Sequence, residues 1–201
     1  VAPLFFRQNE VFMEMKRKEY LIRLIEEISD NKEEQEIIQY GLHQVRVILI
    51  NVLTLVISGI LWQELSFTLL VFLELFFLRP YAGGYHADTE LGCYLISILM
   101  MNIIIFLKKG IVLSNMLFIG SWLGTSVFIW LYAPVENPIR CLDKDERKMY
   151  ANKTKKILLC NATVVLIGIF VQRGDILEVV IWAQIIIIIT MVAGLWKYRE
   201  C

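Results

Sequence analysis

Residues 65–107 read LSFTLLVFLELFFLRPYAGGYHADTELGCYLISILMMNIIIFL. Two apolar blocks flank a polar run from Arg79 to Glu90. Within the blocks the apolar residues are nearly continuous rather than spaced at a helical or strand period, the pattern of helices immersed in lipid. The alternation recurs outward. Leu42–Trp62 precedes the stretch, and Ile111–Ala133, Ile157–Gln172 and a last block ending near Trp196 follow it. This predicts an all-α integral membrane protein with about six hydrophobic segments. The block 65–78 holds only 14 residues, short of the roughly 20 that a straight span needs. A tilted, broken or re-entrant segment is therefore expected there, and four spans with two re-entrant segments stay open as an alternative.

The composition agrees. Of 201 residues, 57% are hydrophobic and 20% charged, and the mean hydropathy is +0.60, which soluble domains rarely reach. A formal net charge of zero argues against a nucleic-acid partner. Residues 13–28, MEMKRKEYLIRLIEEI, place their apolar side chains near one helical face, as an interfacial amphipathic helix does. The sequence thus divides into an N-terminal amphipathic region over 1–41, a membrane domain over 42–196 with polar loops 79–88 and 134–156, and a tail over 197–201. The first dozen residues lack an initiator Met, and Met13 or Met15 is a candidate natural start.

Six spans place both termini and the loops 79–88 and 134–156 on one side. That side holds 17 of the 20 Lys/Arg, and the other holds Lys108, Lys109 and Arg173. The positive-inside rule makes the first side cytoplasmic, so the protein is expected in the cell membrane with both termini and the 79–88 loop facing the cytoplasm.

The polar run gathers reactive residue types. Cys93 lies seven positions after His86. On one continuous helix the two would share a face but stand about 10 Å apart, too far for proton transfer. Gly83-Gly84 permits a sharp positive-φ bend, and Asp88 or Thr89 can cap a helix starting near Glu90. His86 then folds back over a cysteine in the first turn, where the helix dipole favours a thiolate. Taken singly, these residues have plainer readings. A lone cysteine in an apolar helix is most often a small buried hydrophobe, Arg79 a snorkelling anchor, and Gly83-Gly84 a turn. Cys141, Cys160 and Cys201 have no histidine near in sequence, and four unpatterned cysteines with two histidines argue against a disulfide framework or a metal site. Glu74, inside an apolar block, should face protein or a water-filled cavity.

The run Arg79-Pro-Tyr-Ala-Gly-Gly-Tyr-His-Ala87, with Cys93 seven beyond the histidine, resembles the accessory gene regulator protein B (AgrB) family. These are membrane cysteine endopeptidases of quorum sensing. The resemblance extends to the amphipathic N-terminus, the hydrophobic blocks and the stretch Ala133-Pro-Val-Glu-Asn-Pro-Ile139. It implies that His86 and Cys93 are catalytic and that Arg79 and Gly84 matter for function, with Gly83 beside them as a further oxyanion or substrate-binding candidate. Asp88, Glu90 and Ser97 are near enough in sequence to support the pair, as is Glu74. The implied substrate is an AgrD-type propeptide with an acidic tail, cleaved through an acyl-enzyme on Cys93 and closed to a thiolactone or lactone. The resemblance also suggests a homodimer. It calls for no cofactor and no metal. A different class, a small membrane transporter or peptide-export subunit with Glu74 and Arg79 lining a polar path, fits six spans equally well.

Overall fold

The computed structural model describes residues 29, 31–111, 115–137 and 141–198. The expected amphipathic helix over 13–28 and the end of the tail lie outside the described residues. Among the described residues six helices follow one another: α1 Lys32–Leu61, α2 Leu65–Ala82, α3 Glu90–Gly110, α4 Asn115–Tyr132, α5 Lys144–Phe170 and α6 Gly174–Lys197. Four of them, α1, α2, α3 and α6, are long and apolar enough to cross a membrane. The chain is an all-α, multi-pass membrane protein.

It divides into two units, residues 1–52 and 53–201. In the first, the break at Ser29 organises the start of α1. The Ser29 hydroxyl donates to Glu34 and accepts from the Asn31 N–H, and the Asn31 side chain accepts from the Glu33 N–H. These bonds occupy donors that a helix start leaves open.

In the second unit α6 is the hub. Of the four membrane-length helices it is the most apolar and the most enclosed, and it packs against α2, α4 and α5. Three apolar clusters are strung along it. Trp182, Ala183 and Ile186 meet Phe67 and Val71 of α2 and Met101, Ile104 and Ile105 of α3. Leu177, Val180 and Ile181 meet Phe118 and Trp122 of α4 and Val165 of α5. Ile187 and Met191 meet Leu78, Ala82, Ile129, Val135 and Leu158. In lipid, burying apolar surface between helices gains little, so close packing and polar bonds between helices carry the association, the latter at about 0.6 kcal/mol each. Thr125 and Ser126 of α4 donate to Gln184 of α6. Ser58 and Trp62 both donate to Asn102 of α3. Asn161 of α5 donates to Glu74 of α2.

Two boundaries differ from the sequence reading. The block 65–78 does not stop at Arg79 but continues as helix to Ala82, giving α2 18 residues. Proline's fixed φ suits a helix, and its missing N–H costs the last turn one i→i−4 bond. The Leu78 and Ala82 side chains are fully buried and hold this last turn in place. Likewise 144–156, read as loop, is the first half of α5. Asp143 accepts from the Asp145 and Glu146 N–H groups, and Glu146 reaches back to the Asp143 N–H, a capping box that starts the helix well ahead of its apolar part.

Candidate active site

Beyond Ala82 the chain turns sharply. Gly83 has φ +72° and Gly84 φ +127°, conformations that favour glycine. The turn is clamped from two sides. Val135 pairs with it in a short parallel bridge, its N–H donating to Ala82 O at 2.9 Å and its carbonyl accepting from the Gly84 N–H at 3.2 Å. On the other side the Tyr85 N–H donates to Thr190 O of α6 at 2.7 Å. The backbones are in such close contact that a Cβ on Gly83 would lie 2.1 Å from Val135 O, and one on Gly194 of α6 2.9 Å from Tyr85 N.

The chain then runs extended to Thr89, which caps α3. Its hydroxyl accepts from the Gly92 N–H at 3.1 Å, while its carbonyl accepts from the Cys93 N–H. Cys93 therefore sits in the first turn, half-buried, with its thiol free. His86, at the exposed rim, folds back over that turn, and its Nδ1 lies 3.8 Å from Cys93 Sγ. That is within the range of a thiol–imidazole hydrogen bond. Arg79, in the last turn of α2, donates through Nη2 to Tyr85 O at 3.1 Å and acts electrostatically on both Cys93 and His86. Partial burial, and then the Arg79 charge, hold the His86 pKa below its ordinary value of 6.5. Both causes disfavour the imidazolium, so at neutral pH the ring is uncharged and able to accept a proton.

The other candidates distribute differently. Gly83 and Gly84 shape the turn, but their N–H groups are already spent on Arg79 O and Val135 O. Asp88 points away from the histidine and pairs with Lys197 at 2.7 Å. The Ser97 hydroxyl donates to Cys93 O within the helix. Glu90 is an exposed first-turn acid. Glu74 bonds to Asn161, not to Arg79.

Tyr198 went unnoticed in the sequence. Its hydroxyl accepts from the His86 N–H at 3.3 Å and donates to His86 O at 3.1 Å. Nothing in the sequence links two residues 112 positions apart.

Beside His86 opens a cleft of about 220 Å³. The turn, Val135 and Glu136 form one wall, and Tyr81 and Tyr150 another. The basic half of α5 closes in on it. Tyr150 packs edge-on against Tyr81, and the Lys153 ammonium stands 4.8 Å over the Tyr81 ring. Arg147 pairs with Glu136 at 3.3 Å. The site can thus offer a nucleophile, a neutral base, a fixed cation and an adjoining cleft with positive charge at its edge.

A family model described as Accessory gene regulator B matches residues 18–191. An AgrB-like protein of Clostridium perfringens strain SM101 is 28% identical over 134 residues, which cover 63% of either chain. Protein FsrB of Enterococcus faecalis strain OG1RF is 33% identical over 147 residues, 65% of this chain and 60% of its own. An AgrB-like protein of Listeria innocua is 28% identical over 178 residues, 85% of this chain and 84% of its own. The match therefore spans just under two thirds of the length of the first two relatives. No solved structure matches the chain.

Proposed function

The chain belongs to the accessory gene regulator B family, and on that premise we propose that it is a membrane cysteine endopeptidase. Its substrate is an AgrD-type propeptide, which it cleaves and closes into a cyclic quorum-sensing signal. The observation that carries this reading is the 3.8 Å approach of Cys93 Sγ to His86 Nδ1 at the start of α3.

The reaction follows from these groups. Neutral His86 takes the Cys93 proton at Nδ1. The thiolate attacks the carbonyl at the junction of signal core and tail. The Arg79 guanidinium, which spends one N–H on Tyr85 O, has further donors for the developing oxyanion. As the C–N bond breaks, His86 returns the proton to the departing amine, leaving a thioester on Cys93 and a free tail. A thiol or hydroxyl within the core then gives its proton to His86 and attacks the thioester. The ring closes, and Cys93 leaves as a thiolate that regains the proton. Water competes in this second step, and holding the core nucleophile in place supplies the effective concentration that favours closure. The basic half of α5 beside the cleft suits an acidic tail.

The charge bias supports a cytoplasmic position for the site, for residues 1–41 and for the C-terminal tail. A membrane-impermeant maleimide applied to intact cells is then expected to leave Cys93 and Cys141 unlabelled and to react with both only after permeabilisation. Labelling in intact cells would reverse the orientation.

The test of the reaction is mass spectrometry of the full chain in detergent with its propeptide. The expected result is an adduct on Cys93 with the mass of the propeptide less its tail. An adduct at another residue, or tail release with none formed in acid-quenched samples at any time point, would count against it.

A pH dependence also follows. The base must be neutral to act, so kcat/KM falls as the pH drops through the His86 pKa. Because that pKa is lowered, the midpoint of the acid limb is expected below 6.5. Arg79→Gln removes one of the two causes and should move any residual limb upward. A wild-type midpoint at or above 6.5 contradicts the assignment.

A further inference from the structure

Resting on the reading of His86 and Cys93 as the reacting pair, we propose that Tyr198 and Lys197, at the C-terminal end of α6, are the positioning residues that hold His86 over Cys93. A histidine base ordinarily needs a third group to fix its ring, most often a carboxylate on its second nitrogen. The nearby Asp88 is turned away to Lys197, and no described side chain other than Cys93 bonds to the His86 ring. Here the ring is fixed through its backbone instead.

The holding contacts are specific. The Tyr198 hydroxyl grips both backbone groups of His86, accepting from its N–H and donating to its carbonyl. On either side of His86, at Tyr85 and Asp88, the chain is held again. Lys197 pairs with Asp88 at 2.7 Å, and its ammonium stands 4.9 Å from the centre of the Tyr85 ring. Tyr85 N–H is bonded to Thr190 O of the same helix, and Gly194 lets the backbones touch. These contacts all come from the stretch Thr190–Tyr198 at the end of α6. The need is physical. His86 lies on a segment without regular secondary structure between the turn and the Thr89 cap, and the 3.8 Å contact at Cys93 Sγ leaves little tolerance. A displacement of about 1 Å in such a pair can cost roughly 10²-fold in rate.

These residues touch neither the thiol nor the substrate in the mechanism, so their effect should be visible without substrate. The readout is the rate of Cys93 alkylation by iodoacetamide across pH 5 to 9, followed by peptide mass spectrometry on the full chain in detergent. Tyr198→Phe keeps the ring and removes both hydrogen bonds. It is expected to slow alkylation at neutral pH by roughly tenfold and to move the profile toward that of an ordinary cysteine. Lys197→Gln should do the same more weakly, and Lys197→Arg should restore the wild-type rate. Propeptide cleavage should fall in parallel, through kcat more than KM. The proposal is overturned if Tyr198→Phe keeps the wild-type profile while His86→Gln alters it. If His86→Gln also leaves the profile unchanged, the pair itself does not exist, and the holding role goes with it.

Discussion

Cys93→Ala is expected to abolish propeptide cleavage, by roughly 10⁴-fold or more, because it removes the thiol that His86 faces. His86→Ala should cost about 10²–10⁴-fold, the usual worth of a positioned base. The double variant should be little worse than Cys93→Ala alone, since a base without its nucleophile has nothing to activate. The measurement is an immunoblot of tagged propeptide in cells making each variant, with membrane insertion confirmed by fractionation. Persistent cleavage by Cys93→Ala would end the endopeptidase reading. Cys160→Ala is a fair control, because Cys160 is an exposed residue of α5.

Gly83→Ala should have the second largest effect, for a different reason. The new Cβ would lie 2.1 Å from Val135 O and 3.0 Å from Val135 N. Val135 cannot withdraw cheaply, because its N–H and carbonyl are both bonded to the turn and its side chain is buried in the cluster around Leu78 and Ile187. The residue also has φ +72°, which alone costs a non-glycine residue about 1–3 kcal/mol. The expected outcome is a lower unfolding temperature in detergent together with loss of the fast thiol reactivity of Cys93. Relief of the clash must shift the turn that carries His86, so both readouts should change together. Gly120→Ala supplies the comparison, since a Cβ there meets nothing within 4 Å. A Gly83→Ala protein with wild-type stability and wild-type Cys93 reactivity would show that the turn does not position the site.

Much of this architecture is local in origin and so could be read from neighbouring residues. The apolar blocks follow from solvation, because a stretch that is apolar on all sides is stable only in lipid. The bend at Gly83-Gly84 and the cap at Thr89 follow from backbone freedom and from unpaired amides at a helix start. The direction in which His86 returns toward the first turn of α3 follows from these two. Where the reading fell short, long-range packing or capping outweighed composition. The Arg79-Pro80 pair looks like a helix end, yet burial of Leu78 and Ala82 holds one more turn. The charged stretch 144–156 looks like a loop, yet a capping box at Asp143 starts a helix there.

What surrounds the pair could not be read this way. Where the Gly84 amide is spent depends on Val135, more than 50 positions away. The partner of Glu74 is Asn161, and the group that grips His86 is Tyr198. Each of these is a hydrogen bond between segments distant in the chain. Such bonds carry no local pattern and arise only when α2, α5 and α6 pack side by side. The sequence settles which residues can react and how the chain bends to bring them together. The packing of the helices settles which of their hydrogen bonds are already taken and what keeps the histidine in place.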